Sequence, residues 1–232
     1  MIPNSLHSIP NLEAVSKIII TIAKDEILSR FNHLQQSEIS EKGMGEIVTA
    51  ADIQSEIRLA KELTSLIPES KVIGEEEYDQ NKNIIERFDG DEPVWVLDPL
   101  DGTRNFSQGK PCFCTIVAYC MKNTTYLGWI YDPINNNMFF AAKGRGAWCN
   151  DKKIEKSIAP RLSEMVGSIG KHRREHLSTY YSKINTELPK RLTRYRCLGM
   201  EYVDLARGKL HFAEYNILKP WDHAAGILIM EE

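Results

Sequence analysis

The sequence lacks several features that assign a chain to a specialised class. Positive charge is not in excess, since 29 Lys and Arg face 32 Asp and Glu for a net charge of −3. Nucleic acid and anionic membranes attract basic surfaces, so neither is an expected partner. The sequence contains no Gly-x-x-x-x-Gly-Lys-Ser/Thr phosphate loop and no kinase glycine loop, which leaves a phosphoryl-transferring kinase without support.

Cysteine is scarce and irregularly spaced. The five cysteines, an odd number without paired spacing, predict neither a disulfide framework nor a four-ligand zinc site. Cys112 and Cys114 alternate along a predicted strand, which favours buried or half-buried reduced thiols. Reduced thiols indicate a cytoplasmic protein.

Long apolar runs are missing as well. The most apolar stretch near the N-terminus, residues 18–23, is too short to cross a bilayer, and no targeting signal is recognisable. With 42% apolar and 26% charged residues, the composition is that of an ordinary globular protein. A chain of 232 residues can bury its own core as one large domain or as two closely joined halves.

Hydrophobic periodicity divides the chain into helices, then strands, then alternating elements. Helical spacing predicts helices over 12–34 and 50–66, the second capped by Thr49 and stopped by Pro68. Short apolar runs predict strands at 71–74, 93–97, 113–121, 125–131 and 137–142. After a glycine turn at 143–146, we expect strands near 166–170, 192–197 and 210–215 and helices near 173–185, near 201–208 and from 221. This order predicts an α/β or α+β fold of layered helices and sheets.

The segment Asp98-Pro-Leu-Asp101-Gly-Thr103 carries the first chemical signal. It follows an apolar strand and precedes a short predicted helix through Phe106, so two carboxylates lie beside a helix N-terminus that attracts anions. A phosphate held there would be repelled by both carboxylates unless a cation intervened. Mg²⁺ prefers such oxygen ligands and bridges carboxylate to phosphate. Taken alone, the segment is equally compatible with a simple Asp-Pro turn capped by Thr103.

Two further acidic clusters favour the metal site. Glu75, Glu76 and Glu77 follow the strand at 71–74, and Asp222 lies in the first turn of the last helix. A surface acid run is the alternative for the glutamates, and we accept it for Glu77. Asp222 alone could be a favourable partner of the helix dipole.

Together these segments resemble the inositol monophosphatase family, part of the lithium-sensitive, magnesium-dependent phosphatase superfamily. The resemblance covers nearly the whole chain and follows four motifs in the family's order: Val48-Thr-Ala-Ala-Asp52, Ile73-Gly-Glu-Glu76, Trp95-Val-Leu-Asp-Pro-Leu-Asp-Gly-Thr-Arg-Asn-Phe106 and Trp221-Asp-His-Ala-Ala-Gly226. It implies a layered αβαβα sandwich in one domain over residues 1–232. An N-terminal α+β half over about 1–145 would carry most of the metal site, and a C-terminal α/β half would cover about 146–232.

The resemblance implies a site that holds two or three Mg²⁺ ions. Glu75, Asp98 and the carbonyl of Leu100 would hold one ion, and Asp98, Asp101 and Asp222 a second. Glu75 would contribute to a weaker third. A lithium-sensitive, homodimeric hydrolase of a small phosphorylated metabolite follows from the same resemblance.

It also implies catalytic and substrate-binding roles. Thr103, oriented by Asp52 and working with Glu75, would position and activate the attacking water. Asp101 and the backbone N–H groups of Gly102 and Thr103 would contact the phosphate ester. The predicted reaction is hydrolysis of a phosphate monoester, inositol monophosphate-like.

The substrate positions depart from the animal-type pattern. A glutamate is expected seven residues before the Trp-Asp aspartate, where this chain has Tyr215, with Glu214 beside it. Glu201 replaces a small residue, so Glu201 and Glu214 are the candidate substrate contacts. Family members typically continue beyond the position of Glu232 through another strand and helix.

These departures leave other functions open. Related families accept 3′-phosphoadenosine 5′-phosphate, fructose 1,6-bisphosphate or histidinol phosphate, and the basic group at 171–174 could reach a second phosphate or be a surface charge run. A non-catalytic binding protein on the same fold is the alternative from a different class.

Overall fold

The computed structural model describes residues 9–184 and 187–232. The α-helices of this part of the chain are α1 Leu12–Ile22, α2 Ala50–Leu66, α3 Glu75–Gln80, α4 Thr103–Ser107, α5 Lys171–Ile184, α6 Leu198–Ala206 and α7 Pro220–Glu231. Its strands are β1 Ile39–Glu41, β2 Ile47–Thr49, β3 Lys71–Gly74, β4 Val94–Asp101, β5 Cys114–Met121, β6 Thr124–Asp132, β7 Asn137–Ala142, β8 Gly146–Cys149, β9 Lys152–Lys153, β10 Val166–Ser168, β11 Arg191–Thr193 and β12 Phe212–Ala213.

A mixed sheet of seven strands, in the order β3-β4-β5-β6-β7-β8-β9, forms the centre of the protein. β3 and β4 are parallel, with Gly74 opposite Leu97, and each later neighbour is antiparallel. The parallel pair brings the C-terminal ends of β3 and β4 to the same edge. The residues that follow both strands therefore lie close together.

Both faces of the large sheet are covered by helices. Alternation along β4 sends Trp95 and Leu97 toward α1 and α2, and Val94 and Val96 toward α6 and α7. Every residue of β4 is buried, as expected for a strand covered on both faces. The core is therefore double, with one apolar layer on each side of the sheet.

A second, smaller sheet lies beyond α6 and α7. Its three strands are parallel, in the order β11-β10-β12. Helix α5 reaches this sheet through Arg174, whose guanidinium donates to the carbonyl of Leu192 at 3.4 Å. The succession of helices, large sheet, helices, small sheet and helix is the predicted αβαβα layering.

The cap of α2 follows the sequence prediction. Thr49 Oγ1 accepts from Ala51 N at 3.2 Å, and Asp52 Oδ2 accepts from Thr49 N at 2.8 Å. This reciprocal pair satisfies N–H groups that the first helical turn leaves without intrahelical acceptors. It also fixes the side chain of Asp52 inside the protein.

Several predicted bounds were wrong. The first helix does not reach residue 34, because α1 passes into a π-helical stretch at Ala23–Leu28 and the chain then turns at Asn32, whose φ is 63°. β11 ends at Thr193 rather than 197, since Arg196 has a left-handed φ of 57°. β4 extends past Leu97 through Asp101, with an irregular register between Asp98 and Asp101.

Two predictions reach outside the described residues. The helix predicted near 173–185 is α5, and residue 185 lies beyond the described part. The absence of a targeting signal rests partly on residues 1–8, which are not described either. Among the helices that are described, none combines the length and the apolar character needed to cross a bilayer.

Candidate active site

A cavity of about 1000 Å³ lies between α3, the start of α7 and the ends of the small sheet's strands. Its wall carries carboxylates and cations from different elements: Glu75, Glu76, Glu201, Glu214, Asp222, Lys42, Lys82, Arg194, Arg196 and Lys219. Asp98 and Asp101, at 2% and 5% exposure, are buried behind this wall. The cavity is therefore polar on the side of the large sheet and can admit a charged ligand.

The end of β4 is held in place by contacts that the sequence dictates. Pro99 has no N–H for the ladder, and its carbonyl accepts from Thr115 Oγ1 at 2.9 Å. Asp98 Oδ1 accepts from Leu100 N at 3.1 Å. Gly102 then turns the chain into α4 with a φ of 93°, and a Cβ there would lie 2.9 Å from the carbonyl oxygen of Cys112. Glycine is thus required for both φ and space.

Four carboxylates share this region and repel one another. Burial raises the pKa of Asp98 well above its ordinary value, and the charges of Glu75 and Asp101 raise it further. Burial is also the largest cause for Glu75, whose pKa is raised despite the opposing charge of Lys42. The pKa of Asp222 rises to about 7 through burial and repulsion from Asp101. Burial raises the pKa of Asp101 as well.

The donor set of this cluster fits a hard divalent cation. Its atoms are carboxylate oxygens and the carbonyl of Leu100, the ligands that Mg²⁺ prefers. Clustered buried carboxylates are unfavourable without a compensating positive charge. A divalent cation would neutralise these carboxylates, so the residues suit a metal centre.

Asp52 and Thr103 meet at the side of this cluster. Thr103 Oγ1 lies 2.8 Å from Asp52 Oδ1 and 2.9 Å from the carbonyl oxygen of Leu100. The same carboxylate accepts from the backbone N–H of Thr49. Asp52 is only 2% exposed, so its carboxylate lies inside the protein.

Lys42 is a site residue that sequence reasoning missed. Its ammonium lies 2.6 Å from Glu76, 3.0 Å from Asp79 and 3.6 Å from Glu75. Burial works to lower its pKa, but the charges of Glu75 and Glu76 outweigh burial and raise it. No local pattern marks Lys42, because its partners lie more than thirty residues further along the chain.

The small sheet and α6 supply the opposite wall. Glu201 is buried, and its Oε1 accepts from Ser168 Oγ at 2.5 Å and from Tyr195 N at 2.9 Å. The hydroxyl of Tyr215 is buried nearby without a well-formed hydrogen bond in the described structure. Glu214 also lines the cavity, but its carboxylate pairs with Arg173 at 2.6 Å.

The two arginines of the basic group at 171–174 make contacts within the protein. Arg173 binds Glu214, and Arg174 donates to Leu192 in the small sheet. The side chain of His172 lies outside the described residues. On this side of the cavity the wall instead carries Arg194, Arg196 and Lys219, a set that the sequence did not indicate.

Comparisons with known proteins match nearly the whole chain. The inositol monophosphatase family model matches residues 11–232. The fructose-1,6-bisphosphatase/inositol-1-monophosphatase of Thermotoga maritima is 31% identical over 193 residues, 82% of this chain and 70% of that protein. The inositol monophosphatase of Dictyostelium discoideum is 32% identical over 213 residues, covering 89% and 76%. The Nus factor SuhB of Escherichia coli K12 is 32% identical over 200 residues, covering 84% and 72%.

Solved structures agree in fold. An inositol monophosphatase of Thermotoga maritima superposes with a TM-score of 0.78 at 25% identity, over 95% of this chain and 82% of that one. The extragenic suppressor protein suhB of Bartonella henselae gives a TM-score of 0.74 at 26% identity over the same shares. The sequence motifs, the layered fold and these matches agree. The chain belongs to the inositol monophosphatase family, whose members are phosphatases that hydrolyse phosphate monoesters.

Proposed function

We propose that this chain hydrolyses the phosphate monoester of a small polyhydroxylated metabolite, inositol monophosphate-like, in a Mg²⁺-dependent reaction. The observation that carries the proposal is the convergence of two buried carboxylates, Asp98 and Asp101, with two half-buried ones on the cavity wall, Glu75 and Asp222. All four have raised pKa values. Such clustering at a cavity marks a functional site with a physical cause.

We assign two Mg²⁺ ions, and a weaker third, to this donor set. Glu75, Asp98 and the carbonyl of Leu100 would hold one ion, and Asp98, Asp101 and Asp222 the second. Glu75 would contribute to the third. When bound, the ions supply neutralisation of the carboxylates and Lewis-acid polarisation of the phosphate oxygens. Another family structure, an IMPase/NADP phosphatase, is described in complex with Mg²⁺ and phosphate, which supports the metal by analogy.

Thr103 and Asp52 provide the means to orient the attacking water. The Thr103 hydroxyl has one hydrogen and two lone pairs. When its hydrogen is donated to Asp52 Oδ1, 2.8 Å away, a lone pair remains to accept a hydrogen bond from water. Water held there in line with the phosphorus has its proton directed toward Thr103, and Glu75 at the cavity wall is the neighbouring base.

The phosphate itself is expected at the start of α4. The first N–H groups of a helix have no intrahelical acceptor, and in this helix they belong to Thr103 and its neighbours. Gly102, with its φ of 93°, turns the chain from Asp101 into α4, so its N–H group and that of Thr103 follow a carboxylate of the cluster directly in the chain. We assign these two N–H groups to the phosphate oxygens, with Asp101 beside them.

Glu201 and Tyr215 are the candidates for recognising substrate hydroxyls. Glu201 has one oxygen engaged by Ser168 and Tyr195, which leaves acceptor capacity on its carboxylate. The Tyr215 hydroxyl is buried beside the Glu201 carboxylate but makes no well-formed hydrogen bond to it, a condition that a ligand hydroxyl would relieve. Glu214 lies at the same cavity but is engaged by Arg173, so its contribution to binding is expected to be smaller.

A substrate with a second phosphate is the alternative that a specific observation favours. Arg194, Arg196 and Lys219 line the cavity, and no ion pair of Arg194 or Arg196 occurs within residues 9–184 and 187–232. Guanidinium groups bind phosphate in a bidentate manner. The Thermotoga relative is named for both fructose-1,6-bisphosphatase and inositol-1-monophosphatase activity. An IMPase/NADP phosphatase with a similar fold has been solved in complex with NADP and Ca²⁺.

A substrate panel tests these proposals. Inositol monophosphates, fructose 1,6-bisphosphate, histidinol phosphate and 3′-phosphoadenosine 5′-phosphate are compared for phosphate release with Mg²⁺ and with chelator. Asp98→Asn is expected to abolish turnover and Mg²⁺ binding by calorimetry. Asp91→Asn is the matched control, because the Asp91 side chain is 86% exposed and pairs with Lys122. Folded protein that releases no phosphate from any substrate would favour the non-catalytic alternative.

The assembly and its setting are proposals as well. We propose a cytoplasmic, lithium-sensitive homodimer, as the family resemblance implies. The free state of all five cysteines is compatible with a reducing compartment. Light scattering after size-exclusion chromatography and a lithium titration of activity test two of these properties directly.

A further inference from the structure

Glu56 is a buried carboxylate to which the proposed reaction assigns no role. It lies on α2, one helical turn after Asp52, and is 7% exposed. Residues four apart lie on the same face of a helix. Asp52 contacts Thr103, which follows β4, and Glu56 contacts the residues that follow β3. One face of α2 therefore contacts both segments that carry the candidate active site.

Both oxygens of Glu56 accept from backbone N–H groups in the first turn of α3. Oε2 accepts from Glu76 N and Oε1 from Glu77 N, each at 2.8 Å. These N–H groups have no acceptor within their own helix, and the N-cap residue, Gly74, has no side chain to supply one. The two donors in turn satisfy a buried carboxylate, which is unfavourable without hydrogen bonds. Glu56 thus caps α3 from another helix.

Glycine at position 74 makes room for this carboxylate. A Cβ on Gly74 would lie 2.5 Å from Oε2 and 2.6 Å from Oε1 of Glu56. The φ of Gly74 is −105°, which any residue can adopt, so the space and not the backbone conformation requires glycine. The carboxylate of Glu56 therefore lies directly against the backbone that joins β3 to Glu75.

We propose that Glu56 is a positioning residue of the hydrolytic site, which holds the start of α3 and thereby keeps Glu75 in place as a metal ligand. Gly74 is fixed before Glu75 by its pairing with Leu97, and the two residues after Glu75 are fixed by Glu56. The backbone of Glu75 is therefore held from both sides. The effect on the metal rests on the proposed function, whereas the contact of Glu56 with α3 does not.

Amide hydrogen exchange in the metal-free protein tests the contact with α3. Glu56→Gln keeps the shape of the side chain but places an NH₂ group opposite one of the two N–H donors. Exchange over residues 75–80 should become about tenfold faster, as expected for one lost hydrogen bond to a charged group. Glu62→Gln, the same change at an exposed position of α2, should exchange like wild type. Unchanged exchange over 75–80 in Glu56→Gln overturns the proposal.

Calorimetric titration with Mg²⁺ tests the effect on the site. The affinity should fall about tenfold or more in Glu56→Gln, the loss typical of a group that orients a metal ligand. Ile67→Val removes a buried methyl group at the other end of α2 and controls for lost stability, so it should bind Mg²⁺ like wild type. Wild-type protein that binds no Mg²⁺ refutes the proposed metal centre. Wild-type affinity in Glu56→Gln refutes the positioning role alone.

Gly74→Ala supplies a second variant, which displaces the carboxylate of Glu56 without removing it. It should also weaken Mg²⁺ binding about tenfold. In a Glu56→Ala background the space beside Gly74 is free, so the same substitution should have little further effect. Equal effects of Gly74→Ala in the two backgrounds would show that residues 56 and 74 act independently, which contradicts the proposal.

Discussion

The hydroxyl of Thr103 lies 2.8 Å from a carboxylate oxygen of Asp52, although 51 residues separate them in the chain. Asp52 is held from the other side by Thr49, whose backbone N–H donates at 2.8 Å. A capping contact of α2 thus fixes the acceptor that Thr103 needs. Helix α2 and the start of α4 are joined at this point by a side-chain hydrogen bond.

Replacement of Thr103 tests its role in orienting water. Thr103→Ala should lower kcat by about 10²- to 10⁴-fold, the range typical of a lost proton-transfer group, because no hydroxyl remains to accept from water. KM should change little. Thr103→Ser keeps the hydroxyl and is the matched control, with most of the activity retained. Steady-state kinetics measure both, and wild-type kcat in Thr103→Ala would refute the assignment.

The pH dependence of metal-free stability tests the carboxylate cluster. The pKa of Asp222 rises from its ordinary value of 3.8 to about 7 in the folded protein. The folded state therefore holds a proton that the unfolded state has lost between these values. Stability should fall as pH rises from about 4 to about 7, by at most about 1.4 kcal/mol per pH unit for one such group.

Mg²⁺ reverses that trend, because it binds the ionised carboxylates. Denaturant unfolding at several pH values, with Mg²⁺ and with chelator, measures both effects. Asp98→Asn should stabilise the metal-free protein, by about 1–3 kcal/mol, and should lose the gain from Mg²⁺. Identical pH profiles with and without Mg²⁺ would contradict the metal site.

Substrate recognition separates Glu201 from Glu214. Glu201→Gln and Tyr215→Phe should each raise KM by about tenfold, corresponding to about 1.4 kcal/mol for a lost hydrogen bond to a substrate hydroxyl. Glu214→Gln should have a smaller effect, since that carboxylate pairs with Arg173. Kinetics on the best substrate of the panel decide this, and an equal effect at all three positions would contradict the separate roles of Glu201 and Glu214.

Gly102, in the turn before α4, should tolerate alanine less well than Gly144, in the turn between β7 and β8. Gly102→Ala should destabilise the protein by about 1–3 kcal/mol, since its φ of 93° is strained for alanine and the new Cβ would lie 2.9 Å from a carbonyl oxygen. Gly144→Ala is the control. Its φ is 75°, but no atom lies within 4 Å of the added Cβ, so only the backbone strain of about 1 kcal/mol applies. Equal losses in denaturant unfolding would show that the contact does not matter.

Patterns within a short stretch of sequence predicted the helices and strands that depend on capping residues and on runs of apolar residues. The period of apolar residues and the Thr49 cap gave α2 its observed bounds, Ala50–Leu66. Short apolar runs predicted β5, β6 and β7 to within one residue at each end. The Glu75 triplet was not recognised as the start of α3, where acidic residues in the first turn are favoured by the helix dipole.

Contacts between distant segments could not be read in the same way. Lys42 finds Glu76 across 34 residues, and Cys197 meets Cys114 across 83. Neither pairing leaves a spacing rule in the sequence, because both depend on how layers stack. Resemblance to a family identified the acidic set, whereas burial and repulsion among those acids emerged only with the fold.

The parallel pairing of Gly74 with Leu97 limits which sequence changes the carboxylate cluster can tolerate. This register fixes the distance between Glu75, which follows β3, and Asp98 and Asp101, which end β4. An insertion of one residue in either strand would separate these carboxylates. The opposite wall comes from other elements, β10, β11, β12 and α6. Substitutions there can change the lining of the cavity without disturbing the register between β3 and β4.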